Sequence, residues 1–357
     1  MEEKQEVVEQ QAGQKAREAI RAFVKKWGWL IAIGLALVAI GFLFAPVLTY
    51  RTRVYDEFGE KIDTYFTVNL ITYFSTGFAL NWTMTVTLSF IGLGIIFSIL
   101  GKWKKDLNVA ASMFFLLALC FLALAKGFFE AEENAVENFK DASIGWGDGW
   151  AIAFMTLSAG LSLSQSYDET DFTIRDITED GILIAAAFGL NFIKIPVGPT
   201  GGSINLQMLP LMIIALRRGP FHGLVSGGIV YGLLTCLTDG YGFACYPFDY
   251  LIGFGSVAVL GFFRPFILGK GQTQYNLKGE LFLLLAGILS TIVRYIGSNA
   301  SSMIIYGLDL PAALAYNGIY IPLSGALAFA VIMALYGPLA KVNQMFPAKR
   351  GSLNNAN

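Results

Sequence analysis

The chain has 357 residues, 55% of them hydrophobic and only 14% charged, with a net charge of −1. A soluble chain carries about 25% charged residues. This composition therefore excludes an ordinary water-soluble domain and, lacking any basic excess, a nucleic-acid partner. Apolar runs long enough to cross a bilayer recur along the sequence, which predicts an all-α, polytopic integral membrane protein.

Residues 1–26 are polar and charged, and no small-residue cleavage site follows the first apolar run, so no cleavable signal peptide is expected. Ala16, Ile20, Phe23 and Val24 fall at helical spacing, predicting a cytoplasmic tail whose end lies on the membrane surface. Spans follow at about 27–48, 84–100 and 109–125, with a weaker Gly- and Ser-containing one at 150–163. Between them lie a polar segment (49–81), the basic turn GKWKKD (101–106) and an acidic stretch (128–141) that reads as a solvated face. Residues 27–163 thus form a four-helix N-terminal module of unknown role.

The polar linker 164–180 is the best domain boundary, because the composition switches there. Six further helices are expected at about 181–194, 204–216, 221–237, 249–266, 279–306 and 315–339. They form a domain over 181–340, and a second cytoplasmic tail follows at 341–357. The fifth of these helices is long enough to need a tilt, or a break near Gly297–Ser298. With about ten spans and both termini inside, 18 of the 25 Lys and Arg fall on the cytoplasmic side.

The stretch 198–250 concentrates the chemistry. Arg217 and Arg218 end one apolar run, and at the opposite end an aromatic segment holds Asp239 and Asp249. Asp249 opens the run PFDYLIGF, where helix capping is the plain reading. Its neighbours Tyr241, Phe243, Tyr246, Phe248 and Tyr250 are more aromatic than a cap needs. They suit a ring-containing, cationic ligand. Arg294 is the one charge deep in the fifth helix, to be partnered by Asp239, Asp249 or a carbonyl. Ser298, Ser302 and Tyr306 fall at four-residue spacing on that helix, and Asn317 lies near the mouth of the last one. Each fits helix–helix hydrogen bonding or a pocket lining. Ala185 and Gly189 make a small-xxx-small face, for internal packing or for docking a membrane partner. The three cysteines read as packing residues, and His222 as a surface or interface residue. No P-loop, HExxH, GxSxG or His/Cys metal set occurs. No catalysis, cofactor or metal is therefore expected, and ATP-driven transport would need its energy from a partner.

Residues 174–340 resemble the substrate-binding (S) component of energy-coupling factor transporters, specifically the thiamine-binding ThiT family. The resemblance rests on GGSINLQMLPLMIIALRRG, HGLVSGGIVYGLL, YPFDYLIGFGSVAVLGFF and AYNGIYIP, in that order. It implies six helices, an outward vitamin pocket under a lid (Lys194–Asn205), and a small-residue face, Ala185–Gly189. That face would dock a membrane coupling subunit driven by two cytoplasmic ATPases. The resemblance also exposes departures. The family's Glu-Tyr pair is Asp249-Tyr250 here, and its Arg…His…Gly…Trp series becomes Arg294, Ser298, Ser302 and Tyr306. The Asn survives as Asn317, a Tyr expected five residues earlier is Ala312, and the lid has no Trp.

The expected function is uptake of thiamine or a related heteroaromatic vitamin by a binding subunit, not an enzyme. Asp249 would take the charged end of the ligand. Tyr250 and Tyr306 would stack on it, and Asn317, Ser298 and Ser302 would hydrogen-bond it. Arg294, Asp239 and Tyr241 would organise the pocket. A self-sufficient secondary transporter and a non-transporting membrane assembly protein are the alternatives.

Overall fold

The computed structural model describes residues 2–55, 60–75, 82–132, 143–167, 173–197, 202–269 and 276–346. Helix α1 (Glu2–Phe42) runs without a break from the polar tail into the first span. A hairpin follows where the sequence reading had only a polar segment. Strands β1 (Leu48–Tyr55) and β2 (Lys61–Val68) pair antiparallel, from Leu48↔Val68 to Tyr55↔Lys61. Their Thr, Tyr, Val and Phe content favours extended backbone. After α2 (Leu70–Ser75) come α3 (Trp82–Leu100) and α4 (Asp106–Glu132). Strand β3 (Ser143–Ile144) adds to β1, and α5 (Trp146–Ser166) closes the module.

In the second half, α6 (Ile174–Phe192) starts on a reciprocal cap. The Thr173 hydroxyl accepts from the Asp176 backbone N–H while the Asp176 carboxylate accepts from the Thr173 N–H. The hairpin β4 (Lys194–Val197) and β5 (Gly202–Asn205) leads into α7 (Met208–Arg218). Then come α8 (Pro220–Asp239), α9 (Phe243–Ile267), α10 (Leu277–Ile304), α11 (Leu310–Ala334) and the short α12 (Tyr336–Met345). The acidic stretch 128–141, the middle of the linker (168–172), the lid tip (198–201) and most of the C-terminal tail (347–357) lie wholly or largely outside the described residues.

Each of the ten predicted spans coincides with a helix. Among the described residues, seven helical stretches are long and apolar enough to cross a membrane. The other three are α5, α6 and α7. The last has only 11 residues, and α6 begins with Arg175, Asp176, Glu179 and Asp180. Helix α10 is unbroken at Gly297–Ser298 and spans roughly 42 Å at 1.5 Å per residue, so it needs tilt rather than a break.

The apolar window of α4 is 89% buried inside the protein, against 22% for α1 and 33% for α3, which makes α4 the central helix. It joins the halves. Leu116, Leu119 and Cys120 of α4 belong to the same apolar core as Phe248, Ile252, Ala300 and Met303 of α9 and α10. A second core, built on Leu211, Ala215, Phe254 and Leu260, lies wholly in the second half. The exposed Leu284, Leu285 and Ile288 of α10 and Ile319, Leu323 and Leu327 of α11 form the outward surface expected of helices in lipid.

Candidate functional site

Asp249 is held by a backbone irregularity. Helix α9 opens with a 3-10 turn (Phe243–Cys245) and continues as a π-helical turn (Tyr246–Ile252). Such wide turns are rare and cluster at functional sites. Asp249 therefore sits inside the helix rather than opening it, and capping does not account for it. Two glycines fix the turn by close approach. A Cβ on Gly228 of α8 would meet the Leu251 carbonyl at 2.5 Å, and one on Gly297 of α10 would meet the Phe248 carbonyl at 2.7 Å.

Around the Asp249 carboxyl stand the hydroxyls of Ser298 and Ser301 and the guanidinium of Arg294. Arg294 is 8% exposed and lies over the Phe254 ring at 5.4 Å, a cation–π contact. The acid facing it is Asp249. Asp239 is instead exposed at the end of α8, where it accepts from the Tyr250 hydroxyl at 3.4 Å near Lys194 of the lid hairpin. Tyr231 packs edge-on to Phe254 at 4.8 Å and donates to Gln207 Oε1 at 2.6 Å.

The Asn317 amide is buried. Its Nδ2 donates to Ser302 Oγ at 2.9 Å and to Asn299 Oδ1 at 3.2 Å, and its Oδ1 accepts from the Tyr320 hydroxyl at 3.0 Å. Tyr306 departs from the predicted stripe. Helix α10 stops at Ile304 and the chain turns at Gly307 with φ 65°, so Tyr306 lies beyond the helix, off the Ser298–Ser302 face. Its ring is 49% exposed, and its hydroxyl meets Cys245 Sγ at 3.4 Å. Tyr241 is likewise half-exposed, and its carbonyl accepts from the Cys245 thiol. The structure thus brings Asp249, Tyr250, Arg294, Ser298, Ser302 and Asn317 together, and leaves Tyr241 and Tyr306 at the rim. Sequence reasoning missed Gln207, Tyr231, Ser301 and Tyr320. The first two are polar residues inside apolar runs, and Tyr320 stands one turn after Asn317; both are readable signals.

Ala185 and Gly189 are exposed on α6, and a Cβ on Gly189 would meet nothing within 4 Å. Among the described residues, none covers their face. The opposite end of the domain carries a buried ionic cluster. Arg218 contacts Asp176, Glu179 (2.6 Å) and Asp180 (3.0 Å), while Arg217 contacts Glu179 and Asn343 (2.8 Å). His222, expected at a surface or an interface, is buried in this cluster. It is 3% exposed, with Nδ1 at 2.7 Å from Asp180 Oδ2, because α8 packs its first turn under the acidic start of α6. An apolar cleft of about 330 Å³ adjoins the cluster, between Ile182, Ile213, Ile332 and Leu339. All three cysteines are buried, and the described residues contain no His/Cys/Asp/Glu group able to hold a metal.

These features define a multi-pass, all-α membrane protein. Residues 177–344 match the family model described as Thiamine transporter protein (Thia_YuaJ). The chain is 26% identical over 176 residues to the thiamine transporter ThiT of Bacillus subtilis (strain 168), covering 45% of this chain and 89% of that protein. It is 27% identical over 136 residues to an uncharacterized protein of Pyrococcus woesei, covering 38% of this chain and 82% of that one. A solved structure of ThiT from Listeria monocytogenes shares 22% identity, covers 47% of this chain and 97% of its own, and superposes with a TM-score of 0.41. The similarity to ThiT thus lies in the second half of the chain, and the family match begins after residue 176.

Proposed function

We propose that the protein is the substrate-binding subunit of an energy-coupling-factor type uptake transporter, and that it takes thiamine or a related heteroaromatic vitamin. One observation carries this reading: a carboxylate, Asp249, set among the Ser298 and Ser301 hydroxyls with Tyr250 and Tyr320 in electrostatic reach. A cationic heteroaromatic ring matches that lining. Asp249 takes the charged end of the ligand, Tyr250 and the rim residue Tyr306 offer aromatic surface, and Ser298, Ser302 and Asn317 form the hydrogen-bonding edge. Arg294 organises the acid, while Asp239 and Tyr241 shape the mouth. The open face at Ala185 and Gly189 is where a membrane coupling subunit docks, with two cytoplasmic ATPases behind it and both termini cytoplasmic. Residues 27–163 serve as a scaffold, with α4 shielding the site from lipid.

Calorimetric titration of the purified protein with thiamine, then with other vitamins, tests the reading. Submicromolar binding that Asp249→Ala weakens at least 100-fold is the expected result. A full vitamin panel without heat would sink it.

A further inference from the structure

We propose that Tyr320 is the residue on which the ligand ring stacks, and that Asn317 serves the site mainly by positioning that ring. The inference rests on the functional reading above, to which it adds a residue and a division of labour.

Tyr320 occupies the centre of the constellation. It is half-buried on α11, with Ser298 beside its hydroxyl end and Asp249 and Arg294 in electrostatic contact. Its hydroxyl is tethered to Asn317 Oδ1 at 3.0 Å, and Asn317 is itself tethered on both amide donors by Ser302 and Asn299. A primary amide has two N–H donors and an oxygen with two lone pairs. Asn317 therefore has a single lone pair left for any ligand: its two donors go to Ser302 and Asn299, and its other lone pair holds the phenol.

A ring pinned at its hydroxyl presents a fixed face, so stacking on it loses little rotamer freedom. The lid fixes the ring from the other side. A Cβ on Gly202 of β5 would lie 2.7 Å from Tyr320 Cδ1 and 3.1 Å from Tyr316 Oη, so only glycine lets the hairpin rest directly on these tyrosines. Tyr316, at 5.5 Å and 59° from Tyr320, adds an inclined second wall. Tyr306 lacks these restraints: it is half-exposed, and its hydroxyl partner is Cys245. A carboxylate beside a restrained aromatic face is the pairing that a cationic ring requires.

The test is calorimetry with thiamine on wild type, Tyr320→Leu, Tyr320→Phe, Asn317→Ala and the Tyr320→Phe/Asn317→Ala double variant, with thermal melting to establish that each is folded. Losing an aromatic stacking surface costs roughly 5- to 150-fold in affinity, the range set by base–aromatic stacking. Tyr320→Leu is expected to show that loss, whereas Tyr320→Phe, which keeps the ring, stays within about threefold of wild type. Asn317→Ala is expected to weaken binding in wild type and to add nothing in the Tyr320→Phe background, where the tether is already gone. Wild-type affinity in Tyr320→Leu, or equal Asn317→Ala losses in both backgrounds, overturns the inference and leaves the functional reading standing. No heat from wild type with thiamine or with any other vitamin of the panel overturns both.

Discussion

Removing Arg218 tests whether the buried ionic cluster holds α6 onto the rest of the domain. The guanidinium is 5% exposed and faces three carboxylates, Asp176 (9%), Glu179 (25%) and Asp180 (6%), all on one helix. In Arg218→Met those acids keep Arg217 and His222 as charged or chargeable neighbours, with the hydrogen bonds that Thr173 gives Asp176 and Ser226 gives Asp180. Breaking a buried pair from one side costs about 3–5 kcal/mol, chiefly because charge is left buried without compensation. For a domain of this size about 1 kcal/mol shifts the melting temperature by roughly 2–4 °C, so a fall of roughly 10 °C is expected. Thermal melting in detergent reads this directly. Arg218→Lys should fall in between, since an ammonium keeps the charge but cannot fork across Asp176 and Glu179. Adding Asp180→Asn to Arg218→Met should recover part of the loss by removing one stranded charge. A melting temperature within about 2 °C of wild type in Arg218→Met, or no recovery in the double variant, would refute this account of the cluster.

Two more predictions concern the site and its surroundings. Gly297→Val places methyl groups where the Phe248 carbonyl now lies 2.7 Å from the Cβ position. Overpacking of this kind costs about 1–3 kcal/mol, and because it pushes on the turn that carries Asp249, ligand affinity should fall along with the melting temperature. Ala185→Trp and Gly189→Trp project into open space. They should leave melting and thiamine binding unchanged while blocking uptake in cells that supply the coupling subunit and ATPases, and normal uptake would remove the docking role assigned to this face.

Sequence by itself determined the membrane class, the helix positions and the residues rich in chemistry, because each depends on local content. Apolar run length sets a span, and an acid among aromatics stands out in any context. The motifs of 174–340 likewise pointed to the family that residues 177–344 match. Only the tertiary structure decided partners and ends. Composition cannot tell which acid faces Arg294: Asp239 and Asp249 are ten residues apart, yet the π-helical turn brings one to α10 and leaves the other at the surface. Four-residue spacing put Tyr306 on a stripe with Ser302, but spacing holds only while the helix continues, and the turn at Gly307 ends it. The sequence left His222 at a surface or an interface, and only the packing of the acidic start of α6 decides that it is buried. The role of α4 was equally hidden. An apolar helix reads the same against lipid as against protein, and only packing distinguishes the two.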